Sequence, residues 1–478
     1  MVNINIDFQK KNGKLSCSDS NVFKLIREKF SIKNPSYKMK RIVPRLYSIT
    51  PSGSFQVGLW NEISHYISSL NIPVNIEMTH AFKEQYQPDL NISNISTIDG
   101  YEYYDYQIDT LSEFVKGGRG ISLISTGGGK TLIIAGMCKT LLDHYPDFKI
   151  LLIVPNISLL NQLYYSFLDE FGIDNITRWG DSNVPDLTKN ILLSTNSSLV
   201  SDVKKSLYIV QNYDVVIVDE VHTINEKKNQ ISKVVHNITT PFKFGLTGTL
   251  PDSLLANWNV IGKIGPIVYE KSSYELRKQN TITEIEIKSI LCLHKDKTNA
   301  VHVRTADDNP TDAYLTEYDF IMNSSARNKV ISHLVTNLKG NILITVDRRQ
   351  YIDILQDCLK NSGKTIYVIH GDTPSEERTF IQNEMDRTEN IVCIAMSKCF
   401  STGVSVKNLH YAIFAYLGKG GVKTVQTIGR MVRKHPSKNR AIIFDIADNL
   451  KYSFDHFTKR LKIYKDQKIK YSVKKIKI

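Results

Sequence analysis

The sequence predicts an α/β protein: two tandem parallel-sheet domains preceded by a small mixed α/β N-terminal domain. Three observations carry this expectation. From Tyr101 to about Lys271 apolar, strand-like runs alternate with helical stretches, and after about Thr281 the alternation starts again, which is the βαβ signature of a parallel sheet written twice. Within the first series, Ser125-Thr126-Gly127-Gly128-Gly129-Lys130-Thr131 follows the apolar run Ile121–Ile124 and leads into helical sequence. Ahead of both series, Val2, Ile4, Ile6 and Phe8 alternate with Asn3, Asn5 and Asp7, which places four apolar side chains on one face of a strand.

Composition sets the frame. At 478 residues the chain is long enough for about three domains at roughly 150 residues each. Hydrophobic content of 41% with 23% charged residues describes a folded globular protein rather than a disordered one. Six scattered cysteines, with no C-x-x-C pair and no histidine at zinc spacing, read as reduced thiols of the cytoplasm, that of the host cell if the chain is viral. The N-terminus lacks the apolar core of a signal peptide and no 18-residue apolar run follows, so neither export nor a membrane partner is expected. A formal charge of +13 favours a polyanionic partner, although a solvated basic surface carries the same charge.

In residues 1–90 the first strand leads to an expected turn at Asn12-Gly13. A short helix follows, capped by Ser18, Asp19 or Ser20, with Phe23, Ile26 and Phe30 on one face. Between Lys29 and Asn61 there is no acid, whereas Lys29, Lys33, Lys38, Lys40, Arg41 and Arg45 are basic, and Tyr47, Phe55 and Trp60 interleave with them. That tract suits an accessory domain that grips a nucleic-acid backbone, with Lys38, Lys40, Arg41 and Arg45 as contacts. A basic solvated sheet whose aromatics are core is the alternative. The polar stretch Asn91–Gly100 reads as a linker.

In the first series the expected strands are Ile121–Ser125, Lys149–Pro155, Asn190–Thr195, Val215–Glu220 and Phe244–Thr249. The loop Thr126-Gly127-Gly128-Gly129 can turn its N–H groups toward an anion at a helix N-terminus, Lys130 can reach terminal phosphates, and Thr131 can hold Mg²⁺. Ile124 stands where the usual pattern has its first glycine, and a flexible glycine-rich turn is the alternative. Val215–Val218 then delivers Asp219-Glu220-Val221-His222. Asp219 suits Mg²⁺, and Glu220 can orient and deprotonate an attacking water. Alone, an acid pair at a helix start explains such a tetrapeptide, but here it follows the loop within one βαβ array.

The second series (Asn341–Val346, Thr365–His370, Asn390–Met396, Tyr411–Tyr416, Arg440–Ile446) has no phosphate loop, so one ATP is expected where the two domains meet. Gln426, Arg430 and Arg433 share a helix face, and two guanidiniums there suit a γ-phosphate. Residues His294–Asp312 read as a hairpin, an inserted loop or a linker. Thr458–Ile478, with nine Lys or Arg residues and one acid, reads as a basic helix followed by a strand, or as a solvated tail.

The pieces Ser125–Thr131, Asp219-Glu220-Val221-His222, Gly245-Leu246-Thr247-Gly248-Thr249 and Gln426–Arg433 resemble, in order, the motif set of superfamily-two DExH helicases. The resemblance spans roughly residues 100–450. Ser125 replaces a common proline, and Thr-Gly-Thr replaces Ser-Ala-Thr. It implies two RecA-like motor domains, 91–278 and 279–478, using ATP and Mg²⁺. It also implies that Gln107 reads the adenine edge and that His222 couples ATP to Thr247 and Thr249. Asn156 in Val154-Pro155-Asn156, Thr195 in Ser194-Thr195-Asn196, and Thr402 with Gly403 would touch the nucleic-acid backbone.

The tract Phe400–His410, with Ser405 where many members have an acid, resembles the UvsW-type branch-migration helicases of tailed phages, in which a small N-terminal domain precedes the motor. The implied function is ATP-dependent remodelling of branched or duplex DNA in phage replication, recombination and repair, with phage or host recombination and replication proteins as further partners. Rival readings are an XPB-like repair translocase, whose Arg-Glu-Asp tripeptide is absent here, a DExH RNA helicase, and an ATP-regulated nucleic-acid-binding scaffold without turnover. Backbone contacts do not separate DNA from RNA. Because the ATP motifs all follow Tyr101, the motor is expected to keep its ATPase without residues 1–90.

Overall fold

The computed structural model describes every residue except 35–42, 202, 225–229, 302–310, 401–405, 417–423, 425–426, 430 and 432–433. The chain forms two compact units: Met1–Ile124 with Gly129–Lys271, and Ser125–Gly128 with Ser272–Ile478.

The first unit begins with a four-stranded sheet. β1 (Val2–Gln9) pairs antiparallel with β2 (Asn12–Cys17) and parallel with β6 (Val74–Met78), and β2 takes the short β5 (Ser54–Phe55). A separate antiparallel pair joins β3 (Ser31–Lys33) to β4 (Arg45–Tyr47). Ile4 and Ile6 are fully buried, as the alternation requires. The β1–β2 turn is made by Lys10 and Lys11, at φ 49° and 67°. Asn12 already pairs with Gln9, so the turn precedes the expected Asn12-Gly13. Asp19 caps α1 (Ser20–Lys29) by accepting from the N–H groups of Asn21 and Val22. Val22 and Ile26 are its buried residues, and Phe23 is only partly covered. Phe55 and Trp60 are 2% and 1% exposed; they are core, not aromatic faces interleaved with surface cations.

This module does not stand apart from the parallel sheet that follows. α2 (Trp60–Ser69) and α3 (His80–Tyr86) contribute Trp60, Ile63 and Phe82 to one apolar cluster that also holds Val260, Ile261 and Ile264. Phe30 packs on Trp258 with ring centroids 5.3 Å apart. The backbone approaches closely here. A Cβ on Gly58 would lie 2.2 Å from the Ile261 carbonyl oxygen, and one on Gly262 would lie 2.5 Å from Gln56 Oε1. Removing residues 1–90 therefore opens an apolar face on the remaining chain, which the expectation that the motor keeps its ATPase without them did not include. Residues 91–100 form no helix or strand, yet Ser96 hydrogen-bonds Thr140 and Tyr145 donates to the Leu90 carbonyl.

The large sheet of the first unit is entirely parallel. Its strands are β7 (Arg119–Ile124), β8 (Ile150–Val154), β9 (Ile176–Trp179), β10 (Ile191–Thr195), β11 (Val215–Asp219), β12 (Phe242–Thr247) and β13 (Ile267–Lys271), in the order β13-β7-β12-β11-β8-β10-β9. Five match the apolar runs; β9 and β13 were not expected. Helices α4 (Asp105–Gly117), α5 (Lys130–His144), α6 (Ile157–Tyr165), α7 (Asn196–Ser201), α8 (Val203–Val210), α9 (Gln230–Asn237) and α10 (Leu254–Ile264) connect or flank these strands.

The second unit repeats the architecture: β14 (Glu284–Leu293), β15 (Ile342–Val346), β16 (Thr365–Ile369), β17 (Ile391–Met396), β18 (Tyr411–Phe414), β19 (Arg440–Asp448) and β20 (Lys470–Lys477), in the order β16-β17-β15-β18-β19-β14-β20. The basic tail is a helix, Lys451–Asp466, followed by β20, which pairs with β14 from Glu286↔Lys470 to Leu293↔Lys477. Residues 294–301 contain one short 3₁₀ turn, Thr298–Ala300, and the rest of the expected loop to residue 310 lies outside the described residues.

A buried polar knot ties this unit together. Arg327, fully buried, donates to both oxygens of Asp448 (2.9 and 3.1 Å), to the Tyr351 hydroxyl (2.7 Å) and to the Ala415 carbonyl (2.6 Å). His294 Nε2 lies 2.9 Å from the same carboxylate. Burial alone would raise the Asp448 carboxyl, but Arg327 and His294 hold it below the ordinary value. Arg327→Leu leaves that charge buried without its main partner and is expected to destabilise the second unit by about 3–5 kcal/mol, read from its urea midpoint and from faster hydrogen exchange along β19. Gly58→Val is expected to cost about 1–3 kcal/mol through overpacking, with protease sensitivity rising in residues 1–90; unchanged stability would show that the close approach to α10 is not needed.

Candidate active site

β7 carries the chain to the loop Ser125–Gly129, and α5 begins at Lys130. Gly127 and Gly129 hold φ of 88° and 75°, backbone that glycine adopts without a steric penalty. Gly129 is also sterically closed to a side chain, since a Cβ there would lie 2.3 Å from Gln107 Nε2. Gln107 is 2% exposed, and its Oε1 accepts from the Tyr104 N–H at 3.0 Å, closing a capping box at the start of α4. The residue expected at the adenine edge thus has its carbonyl engaged in the cap and its amide nitrogen against the loop.

The acid pair sits at the carboxyl end of β11, beside β12. β12 lies between β7 and β11, so loop, acid pair and Thr247 come from three successive strands of the sheet. Ligands of open parallel sheets collect at this end. Glu220 is the centre of the arrangement. Its carboxylate lies 3.6 Å from Lys130 Nζ, 3.3 Å from His222 Nδ1 and 3.3 Å from Thr247 Oγ1. His222 Nδ1 is itself 2.8 Å from Thr247 Oγ1, and the Thr249 N–H reaches that oxygen at 3.4 Å. Glu220 has φ of 51°, a left-handed conformation that costs a non-glycine residue roughly 1–3 kcal/mol. Its N–H donates to Asp219 Oδ1 at 2.9 Å.

Burial, then the neighbouring Glu220 charge, raises the Asp219 carboxyl to about 6 against the pull of Lys130. Such a carboxylate is short of positive charge, which a divalent cation supplies. Lys130 already sits against a carboxylate, the same kind of anionic oxygen that a phosphate presents. The residues therefore fit a nucleotide and its metal.

The remaining expected residues fall in different places. Asn156 caps α6, accepting from the Leu159 N–H at 3.0 Å, while its Nδ2 is buried with no hydrogen-bond partner among the described residues. Thr195 is 1% exposed and its hydroxyl pairs with Ser198 Oγ at 2.8 Å. Arg45 Nε donates to Ser31 Oγ across the β3–β4 pair. Lys38, Lys40, Arg41, Thr402, Gly403, Gln426, Arg430 and Arg433 lie outside the described residues. One link was not foreseen: Asn196 Nδ2 donates to Thr223 Oγ1 at 3.3 Å, joining the first residue of α7, directly after β10, to the turn that carries His222. Its two partners are 27 residues apart, a contact that no local pattern announces.

Residues 100–252 match the family model described as type III restriction enzyme, res subunit, and residues 326–435 match the helicase conserved C-terminal domain. The ATP-dependent DNA helicase uvsW of Enterobacteria phage T4 is 26% identical, with 97% of each chain covered. Among solved structures, the ATP-dependent type ISP restriction-modification enzyme LlaBIII bound to DNA shares the fold at a TM-score of 0.59 and 15% identity, covering 87% of this chain and 34% of that one. Dbp5 of S. cerevisiae bound to RNA and ADP BeF3 does so at a TM-score of 0.55 and 12% identity, covering 78% and 89%. With the loop, the acid pair and Thr247 on adjacent strand ends of one parallel sheet, and residues 100–252 and 326–435 matched by these two family models, the chain is a superfamily-two DExH helicase resembling the UvsW-type branch-migration helicases of tailed phages.

Proposed function

We propose that the chain is an ATP-dependent DNA helicase and translocase that remodels branched DNA by fork regression, junction branch migration and unwinding. The observation that carries the catalytic part is the single carboxylate of Glu220 shared by Lys130, His222 and Thr247. DNA as the substrate is supported by end-to-end similarity to a DNA helicase.

Each residue then has a part in hydrolysis. The loop N–H groups and Lys130 hold the phosphates. Asp219 and the Thr131 hydroxyl would hold Mg²⁺, a hard cation that takes oxygen ligands such as these. Mg²⁺ supplies neutralisation of charge on the transferring phosphoryl group. Glu220 orients the attacking water and takes its proton, a contribution of roughly 10²–10⁴ in rate for general-base catalysis. A phosphate competes with Glu220 for the Lys130 ammonium, which leaves the carboxylate available to water. His222 and Thr247 register the state of Glu220, and Arg430 and Arg433 are the cations that would stabilise transition-state charge.

Lys130→Ala is expected to abolish ATP binding and turnover, whereas Glu220→Gln should bind ATP and DNA yet not turn over. Full hydrolysis in either purified variant would overturn the assignment. Arg433→Ala should lower kcat by orders of magnitude, within the roughly 10³–10⁵ attributed to arginine fingers, with a much smaller change in ATP affinity. For the substrate, ATP-dependent processing of forks, Holliday junctions, flaps and blunt duplexes is compared with RNA duplexes. Junction and fork processing is the expected result; stimulation by RNA alone would make this an RNA helicase, and binding without hydrolysis a scaffold.

A further inference from the structure

At the other end of the first large sheet, a cavity of about 130 Å³ lies where the N-terminal module meets β7, β12, α9 and α10. Lys11, Arg119, His236, Lys243 and Lys263 line it, and no Asp or Glu among the described residues does. Arg119, Lys243 and Lys263 are 4%, 7% and 5% exposed, so three cations are buried around one space. Arg119 and Lys243 are register partners on adjacent parallel strands, a placement in which like charges repel.

The cations do have local partners. Lys243 donates to the carbonyls of Val235 (3.2 Å) and Ile238 (2.8 Å), and Lys11 donates to Asn237 O (2.9 Å) and Oδ1 (3.3 Å). Arg119 donates to the carbonyls of Ile264 (2.6 Å), Lys263 (3.1 Å) and Gln85, and Lys263 donates to the Asn259 carbonyl (3.0 Å). The carbonyls of Val235, Asn237 and Ile238 lie at the C-terminal end of α9, those of Lys263 and Ile264 at the end of α10, and that of Gln85 at the end of α3, each end equivalent to roughly half a negative charge. Three such ends do not balance four basic side chains. Lys243 spends two of its three N–H donors on carbonyls, and Arg119 three of its five.

We propose that this cavity binds a phosphate group, a tetrahedral oxyanion held by Lys11, Arg119, Lys243 and Lys263, which clamps the N-terminal module to the first parallel sheet. Lys11 comes from the β1–β2 turn, while Lys243 and Arg119 come from the sheet, so one anion is shared by both parts. Lys11 and Thr239 are exposed at the rim, which gives the ion a way in. A space of this size, with basic side chains on its walls, holds four oxygens; a halide leaves most of it unfilled. The charge state agrees with the geometry: burial, then Arg119, Lys11 and Lys263, lowers Lys243 to about 7, and burial, then Lys243, Lys263 and Lys11, lowers His236 to about 4. The group could come from free orthophosphate or from the terminal phosphate of a nucleic-acid strand, which present the same oxygens.

The test uses the full chain carrying Lys130→Ala, so that the ATP loop does not contribute a second phosphate site. Equilibrium dialysis against radiolabelled orthophosphate at constant ionic strength is expected to show one phosphate per chain. Lys243→Met, close in shape and uncharged, should weaken it about tenfold or more, the worth of one charge-assisted hydrogen bond. Lys11→Ala, at the exposed rim where folding is not at stake, should weaken it in the same direction, and should loosen the module as read by proteolysis of residues 1–90. Displacement of orthophosphate by a 5′-phosphorylated oligonucleotide, but not by its 5′-hydroxyl twin, identifies a strand end as the source; displacement by neither identifies the free ion. No bound phosphate below about 10 mM, or equal binding in the parent, Lys243→Met and Lys11→Ala chains, overturns the proposal.

Discussion

The first unit's chemistry depends on one backbone choice, the left-handed conformation of Glu220. It turns the chain sharply after β11 ends at Asp219, so that two sequential carboxylates serve different partners. Asp219 accepts the next N–H, while Glu220 faces Lys130, His222 and Thr247. The cost of that turn is met by packing. Val221 is fully buried, and it lies so close to β12 that a Cβ on Gly245 would come within 2.9 Å of it. The glycine of the Gly-Leu-Thr piece therefore makes room for the residue after the strained one. The strand order then does the rest, because β7, β12 and β11 are neighbours and their carboxyl ends converge.

What could be read from sequence follows from which interactions are local. The loop and the acid pair are contiguous, and fully buried parallel strands such as Ile342–Val346 are continuous apolar runs, so both were visible. β14 is not a continuous apolar run: Glu284, Glu286 and Lys288 alternate with Ile285 and Ile287, the same period-2 signal as β1, and it went unread although the strand accepts β19 on one side and β20 on the other. Trp60 and Phe55 were read as companions of the basic tract because they follow it in the chain. In space they pack with Phe82, at 5.9 and 6.0 Å between ring centroids. The capping role of Gln107 and the Asn196–Thr223 link required knowing which helix starts where, which periodicity places only to within a few residues.

The second unit invests its buried charge along the carboxyl half of β19, at Asp445 and Asp448. Arg460, 2% exposed, donates to Asp445 at 2.7 and 3.1 Å, and the Tyr464 hydroxyl donates to the same carboxylate at 2.8 Å. Glu317 accepts from the N–H groups of Tyr452 and Ser453, a carboxylate at the N-terminus of the helix Lys451–Asp466, where the dipole favours it. Burial of unsatisfied charge is so costly that these pairs specify how the helix lies on the sheet. The basic tail is therefore folded structure up to β20, and its lysines project from an edge strand, where such residues also discourage pairing with another chain.

β12 connects the two chemistries of the first unit. Lys243 stands near its amino end and Thr247 at its carboxyl end, about 13 Å apart at the usual rise of a parallel strand. At one end the strand meets Glu220 and His222. At the other, Lys243 stands beside Arg119 of β7 and lines one cavity with Lys11 of the N-terminal module, whose core is continuous with that of the sheet. A central strand flanked by β7 and β11 cannot shift at one end without dragging its ladder. The module is accordingly part of the same compact unit that holds Asp219 and Glu220, and its packing on α10 is continuous with the packing of the strands that carry them.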